Sequence, residues 1–246
     1  MELVIQLFKY VLEEPHLQGK KYRQYELNQC LIRNTQHSIF ARIHILVEKK
    51  SEEEYYRSII DKLPEKEKCI FSIFGKQPNY SELVKYVATS IEDHKIVCIM
   101  NSDIFMGSTS IDFIRSEIDA HTMISLTRHE FTDDQHTLCN VNTCELIYKY
   151  YGSHDAFIFT TPVPSFYPYQ SVDIPQNILG SEAIFMKSWV DCGKSLKNLC
   201  FDIPIFHMHR YRFTNYNVIA THELCNVRPT VPKNRPDLQS QMITMF

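Results

Sequence analysis

Along the first hundred residues, short β-branched apolar runs alternate with longer stretches whose apolar positions recur at helical spacing. Residues 2–11 read as a first strand, and residues 22–36 as a helix with Tyr25, Cys30 and Leu31 turned inward. Residues 39–48 predict the second strand. Ser51 then suits an N-cap, with Glu54 completing a capping box for a helix that reaches Leu63. Residues 69–74 predict a third strand, and residues 79–91 a helix capped by Asn79 or Ser81. A fourth strand starts at Lys95. This repeated strand–helix alternation argues for an α/β fold, with a mixed, mostly parallel central sheet and helices on both faces.

The fourth run, KIVCIMNSDIFM over residues 95–106, is the one around which the chain is organised. Its apolar first half suits a strand buried on both faces, and it stops at Asn101-Ser102-Asp103. In open α/β sheets ligands collect at the carboxyl ends of strands, so Asp103 is well placed for a metal ion or a ligand hydroxyl. The plainer alternative is that Asn101 and Asp103 only make the turn.

Beyond Asp103 the rhythm changes. Residues 110–118 predict a short helix, 123–128 a strand, 133–151 a polar connection and 155–160 a strand opened by Asp155. Residues 162–175 hold four prolines among aromatic residues, a stiff loop expected to carry few backbone hydrogen bonds. Residues 180–190 return to a helical pattern from Ser181-Glu182, residues 199–209 form a last strand ending His207-Met208-His209, and the tail beyond Val227 reads as a loose arm.

Composition narrows the classes. A net charge of -3, from 26 Lys and Arg against 29 Asp and Glu, gives no general attraction to nucleic acid or to an anionic membrane. Eight cysteines stand singly, at 30, 69, 98, 139, 144, 192, 200 and 225, without a CxxC pair, which suits reduced thiols. The first residues, MELVIQLFKYVLEE, lack the basic start of a signal peptide, and no run approaches the roughly 18 apolar residues of a membrane span. A cytoplasmic protein is expected. GxGxxG, GxxxxGK[ST], GxSxG and HExxH are all absent.

Asp103, Asp155, Glu182 and the pair His207 and His209 fall at the ends of predicted elements. Carboxylate with imidazole suits Mn2+, and carboxylate alone suits Mg2+. Each residue also has a structural reading: Glu182 as an acid at a helix N-terminus, Asp155 as a strand opener, and either histidine as a packed strand residue.

The segments RQYE at Arg23–Glu26, PNYSELVKY around Tyr80, IMNSDIF at Asp103, SLTRHE at Arg128, GSHDAFIF at Asp155, ILGSEAIF at Glu182 and FHMHR at His207 and His209 occur in that order. Together the chain resembles the small nucleotide-sugar-dependent glycosyltransferases of the GT-A (Rossmann-like) fold, notably compact forms of bacteria and of large DNA viruses such as chloroviruses. The resemblance implies one GT-A-type domain over residues 1–246: a nucleotide-sugar half at 1–106, an acceptor and catalytic half at 107–227, and a tail at 228–246. It implies a hexosyl- or pentosyltransferase that takes a nucleotide sugar, most simply a UDP-sugar, and a glycan acceptor, in the host cytoplasm if viral. Asp103, with His209 or its rival His207, would hold Mn2+ or Mg2+, although Asn101 departs from the usual Asp-x-Asp. Gln6, Phe8, Tyr10, Tyr80, Asn101, Ser102 and Arg128 would bind the donor; Glu182 would deprotonate the acceptor in an inverting transfer, and Asp155 would hold a sugar. Two rivals are a sugar-1-phosphate nucleotidyltransferase, which would want a glycine-rich basic loop after the first strand, and a non-catalytic glycan-binding module.

Overall fold

The computed structural model describes residues 1–10, 17–132, 135–138, 153–176, 178, 180–208 and 230. Seven strands form the main sheet: β1 (Glu2–Leu7), β2 (Arg42–Val47), β3 (Cys69–Ile73), β4 (Ile96–Met100), β6 (Thr122–Leu126), β9 (Ala156–Thr160) and β10 (Ser195–Lys197). They lie in the order β10-β6-β9-β4-β1-β2-β3. All pairings are parallel except those of β9, which runs against both β4 and β6. A second sheet, ordered β5-β11-β7-β8, is built from β5 (Ile104–Met106), β7 (His129–Thr132), β8 (Gln135–Leu138) and β11 (Ile205–Met208).

Helices α1 (Leu17–Gln36) and α2 (Lys50–Ile60) cover one face of the main sheet, and α3 (Tyr80–Ser90) and α5 (Ser181–Asp191) the other; α4 (Ile111–Glu117) leads into β6. The alternation of a pleated strand sorts the core accordingly. Leu3, Ile5 and Leu7 of β1, Cys98 and Met100 of β4, and Ala156 and Ile158 of β9 pack with Leu31, Tyr56 and Ile60. Val4, Val97, Ile99, Phe157 and Phe159 face the other way, against Leu83, Val84, Phe185 and Trp189.

Several expected details differ. The 95–106 run breaks into β4 and β5, with a turn closed by Ile104 N–H donating to the Asn101 carbonyl at 3.2 Å. Tyr25 is 54% exposed, and Leu27, Cys30 and Leu31 carry the inward face of α1. Helix α2 starts at Lys50 rather than after a Ser51 cap, and its N-terminal acid is Glu52, whose carboxylate accepts from Glu48 N–H at 2.9 Å and from Lys9 N–H at 3.1 Å. In α3 the choice falls on Asn79, which forms a full capping box with Glu82. Part of the expected 133–151 connection is β8, paired with β7, and the remainder lies outside the described residues. The proline-rich loop bonds to itself through Tyr167, Tyr169 and Ser171 N–H groups and a short 3-10 turn at Tyr169–Val172; Tyr167 plugs the core beside Trp189, while Phe166 is 70% exposed. The tail, apart from Thr230, is likewise outside the described residues.

The five described cysteines are unpaired, and among the described residues no helix is long and apolar enough to cross a membrane.

Helix α1 also ties the two sheets together. Asn34 donates to the Ile104 carbonyl at 2.9 Å and accepts from Met106 N–H at 3.0 Å. Arg33 lies over the rings of Phe105 and Phe131. Gly107 closes this junction, donating to the Pro204 carbonyl at 2.8 Å, and a Cβ there would meet that carbonyl oxygen at 2.9 Å and collide with the Phe206 ring. Gly107→Ala is therefore expected to cost about 1–3 kcal/mol, as overpacking of a filled site does. Urea unfolding of the purified variant checks this, and an unchanged midpoint would show that the β5–β11 junction yields freely.

Candidate active site

Strand β9 runs against its neighbours, so its first residues reach the same edge of the sheet as the last residues of β4 and β6. Met100 and Leu126 both pair with Ala156, which sets Asp155 beside Asn101 on one side and Thr127 on the other. Pleat parity turns Asn101 and Asp155 toward the α3 and α5 face, the side that also carries Glu182. Asn101 N–H donates to the Asp155 carbonyl at 3.0 Å, and the Asn101 amide donates to Asp155 Oδ1 at 2.9 Å. Arg128 Nη1 reaches the same oxygen at 3.1 Å, and Ser153 Oγ donates to Oδ2 at 2.6 Å. Asp155 is 3% exposed. A buried carboxylate with donors on both oxygens is rigidly oriented, which goes beyond opening a strand.

Glu182 comes from the first turn of α5. Gly180 precedes it at φ 93°, a left-handed conformation that a side chain would strain, and this bend starts the helix. Burial first, and then the negative charge of Asp155, push the Glu182 carboxyl up to about 8, against the pull of Arg128. The ordinary effect of a helix N-terminus would be to hold an acid ionised. Here it is outweighed.

Asp103 lies on the α1 side of the same edge. Its carboxylate accepts from Arg23 Nη2 through Oδ2, and His207 Nε2 lies 3.1 Å from that oxygen. Its backbone carbonyl accepts from Met208 N–H at 3.3 Å. Burial acts to raise the Asp103 pKa, but His207, Arg23 and Arg128 override it and hold the carboxyl well below the usual range. Arg23 is fixed in turn by Glu26 at 2.8 Å and by the Met208 carbonyl at 3.3 Å. The side chains of Asn101 and Asp103 are thus engaged across the fold and do not serve the turn.

This arrangement bears on the expected divalent ion. His207 meets Asp103 as a hydrogen-bond partner, and a cation on Oδ2 would collide with the guanidinium already there. His209, the other expected ligand, lies outside the described residues. Among the described residues no three His, Cys, Asp or Glu side chains gather to hold a metal. The described residues as placed do not fit a bound divalent ion.

The expected donor residues divide. Gln6 follows β1 parity onto the Asn101 side; it is 6% exposed, and its Oε1 has no hydrogen-bond partner. Phe8 and Tyr10 follow on the loop after β1, their rings edge-to-face at 5.1 Å. That loop is held by groups to which the sequence assigned no role: Glu52 on Lys9 N–H, Gln24 on Tyr10 N–H at 3.0 Å, and Tyr56 Oη on the Phe8 carbonyl at 2.6 Å. Ser102 is half-buried in the turn. Tyr80 is fully buried and stacked on Phe185 at 4.4 Å; burial, and then the charges of Glu182 and Asp155, raise its pKa, and its hydroxyl lies near Ser181 and Gln176 without closing a hydrogen bond.

Two solved structures share this architecture. S. aureus TarS 1-349 matches with a TM-score of 0.50 at 12% identity, over 84% of this chain and 60% of that one. The inositol-1-phosphate CTP transferase of T. maritima matches with a TM-score of 0.52 at 12% identity, over 84% of this chain and 88% of that one. The fold is the GT-A fold. The chain spans 60% of the TarS structure's length. No protein-family model matches the sequence, and no curated protein matches it significantly.

In this GT-A fold the raised Glu182 has a signature in stability. A carboxyl that ionises near 4.5 unfolded and about 8 folded binds its proton more tightly in the native state, so its contribution to stability falls as pH rises between those values. Glu182→Gln should remove that decline and melt higher than wild type at pH 8.5, with little difference at pH 4.5. Thermal melts across this range test it; parallel curves for the two proteins would mean that Glu182 ionises normally.

Proposed function

We propose that the chain is a glycosyltransferase that moves a sugar from a nucleotide-sugar donor, a UDP-sugar, to a hydroxyl of a glycan acceptor with inversion. The observation that carries this reading is the convergence, at the carboxyl edge of a GT-A sheet, of a rigid Asp155 and a Glu182 whose carboxyl titrates at about 8. An acceptor hydroxyl is a poor nucleophile at neutral pH, and a base that titrates near the working pH is suited to taking its proton. In this reading Glu182 removes that proton, the acceptor oxygen bonds to the anomeric carbon, and the bond from that carbon to the diphosphate oxygen breaks.

The chain's other residues bind and orient. Gln6 carries a buried, unpartnered amide oxygen at the end of β1, suited to an N–H of the nucleotide base, and Phe8 and Tyr10 flank it. Asn101 and Ser102 meet the ribose or the donor sugar. Asp155, held by Asn101, Arg128 and Ser153, fixes sugar hydroxyls at hydrogen-bonding distance, which is where proximity contributes most to rate. Arg128 faces the negative charge that builds on the departing diphosphate. Mn2+ or Mg2+ would bind here only by displacing Arg23 from Asp103, with His209 as a further ligand.

The nucleotidyltransferase reading draws on the likeness to the T. maritima enzyme. Against it, the segment between β1 and α1 reads FKYVLEEPH, two acids and no glycine, where a triphosphate would want a glycine-rich basic loop.

A panel of nucleoside diphosphates, triphosphates and nucleotide sugars, read by thermal unfolding, tests the donor class. A ligand at a hundredfold over its Kd adds roughly 2.7 kcal/mol, a shift of several degrees. Shifts from UDP and a UDP-sugar are expected; a response to triphosphates alone would favour nucleotidyl transfer, and no response would favour a binding module. Glu182→Gln should keep the donor shift and lose transfer, and the wild-type kcat should rise with pH on a limb centred at about 8. Undiminished turnover in Glu182→Gln would remove it as the base.

A further inference from the structure

We propose that Arg23 takes the place of the divalent ion, so that donor binding and transfer by this chain need no metal. The proposal rests on the glycosyltransferase reading above and concerns the same site.

Arg23 sits early in α1, on the face that meets the end of β4. Its side chain is only 15% exposed, and Asp103 and Glu26 flank the guanidinium. The Glu26 side chain is 2% exposed. The Met208 carbonyl accepts from Arg23 Nη1 as well, so partners on α1, on the β4–β5 turn and on β11 all fix one planar group. Burial works to lower the Arg23 pKa, and the two carboxylates more than reverse this, so the charge is permanent.

A divalent ion bound to Asp103 would approach its oxygens to about 2.0–2.3 Å. Arg23 Nη2 and His207 Nε2 both contact Oδ2, so the ion would meet a like charge and a ring N–H where it needs lone pairs. Expelling Arg23 would in turn break its 2.8 Å ion pair with Glu26, a buried carboxylate. The site is built around the guanidinium. Three of the five N–H groups of Arg23 are engaged by described partners. The Tyr10 hydroxyl lies beside the guanidinium as well, and the N–H edge left over goes to the diphosphate, for which a guanidinium is a better match than a point charge. With Arg128 across the Asn101–Asp155 pair, two guanidinium groups then bracket the leaving group.

The test has two arms on the wild-type protein. Mn2+ titrated into it is followed by the electron paramagnetic resonance signal of the free aquo ion, and UDP, GDP, CDP and ADP binding is measured by calorimetry in EDTA and in Mn2+. The expected result is an undiminished Mn2+ signal and a nucleoside diphosphate Kd that differs by less than about twofold between EDTA and Mn2+. Stoichiometric loss of the Mn2+ signal, or binding of a diphosphate only in Mn2+, would overturn the role of Arg23 and leave glycosyl transfer standing. Folded protein that binds none of the diphosphates in either buffer would overturn the transferase reading itself, and the role of Arg23 with it. In Arg23→Ala, diphosphate affinity in EDTA should fall by about tenfold to a hundredfold, the range expected for a lost charge-assisted hydrogen bond. If that variant does not fold, the wild-type arms decide the question alone.

Discussion

One strand direction organises this protein's chemistry. If β9 ran parallel to β4 and β6, its amino-terminal end would lie at the far edge of the sheet and Asp155 would be about a strand's length from Asn101. Because it runs antiparallel, the register brings Ala156 beside both Met100 and Leu126. The residues just outside those three positions then meet as neighbours. Asn101, Asp155 and Arg128 are far apart in sequence and joined by hydrogen bonds of 2.9 and 3.1 Å.

Electrostatics then treats the two faces of that edge differently. On the α5 face, Glu182 has Asp155 as a negative neighbour and too little compensation, so it holds its proton to near neutral pH. On the α1 face, Asp103 has a guanidinium and an imidazole on one oxygen and stays ionised under all ordinary conditions. Two carboxyls of similar intrinsic acidity are thereby pushed apart, one toward proton transfer and the other toward holding charge in place.

The first half of the fold was legible because its signals are local. The run from β1 to β4 has long apolar strands and amphipathic helices, and the observed elements follow the expected ones in order and type, apart from the break at Asn101, the start of α2, a first strand that ends at Leu7 rather than at residue 11 and a first helix that starts at Leu17 rather than at residue 22. The second sheet was not legible. Its strands are three or four residues long, too short for a period of two to stand out; β8 lies where polar residues read as a connection, and β7 in residues 129–132, for which no element was expected. Glu182 and Asp155 showed as acids at element ends, but their roles depend on partners that only folding brings near. Arg23 illustrates this most clearly: RQYE looks like an ordinary charged helix turn, and the residue that gives it meaning is 80 positions away.

Glu52 has reach beyond its own helix. One carboxylate at the start of α2 holds the amide of Lys9, past the end of β1, and that of Glu48, past the end of β2, while Tyr56 one turn later holds the Phe8 carbonyl. The rim that would meet a nucleotide base therefore hangs in large part from α2, with Gln24 of α1 holding its Tyr10 end. Sliding or re-pitching α2 would widen or narrow that rim without disturbing Asn101, Asp155 or Glu182. If the chain transfers a sugar as proposed, base preference and transfer chemistry would in this way be mechanically separable, and divergence in one need not cost the other.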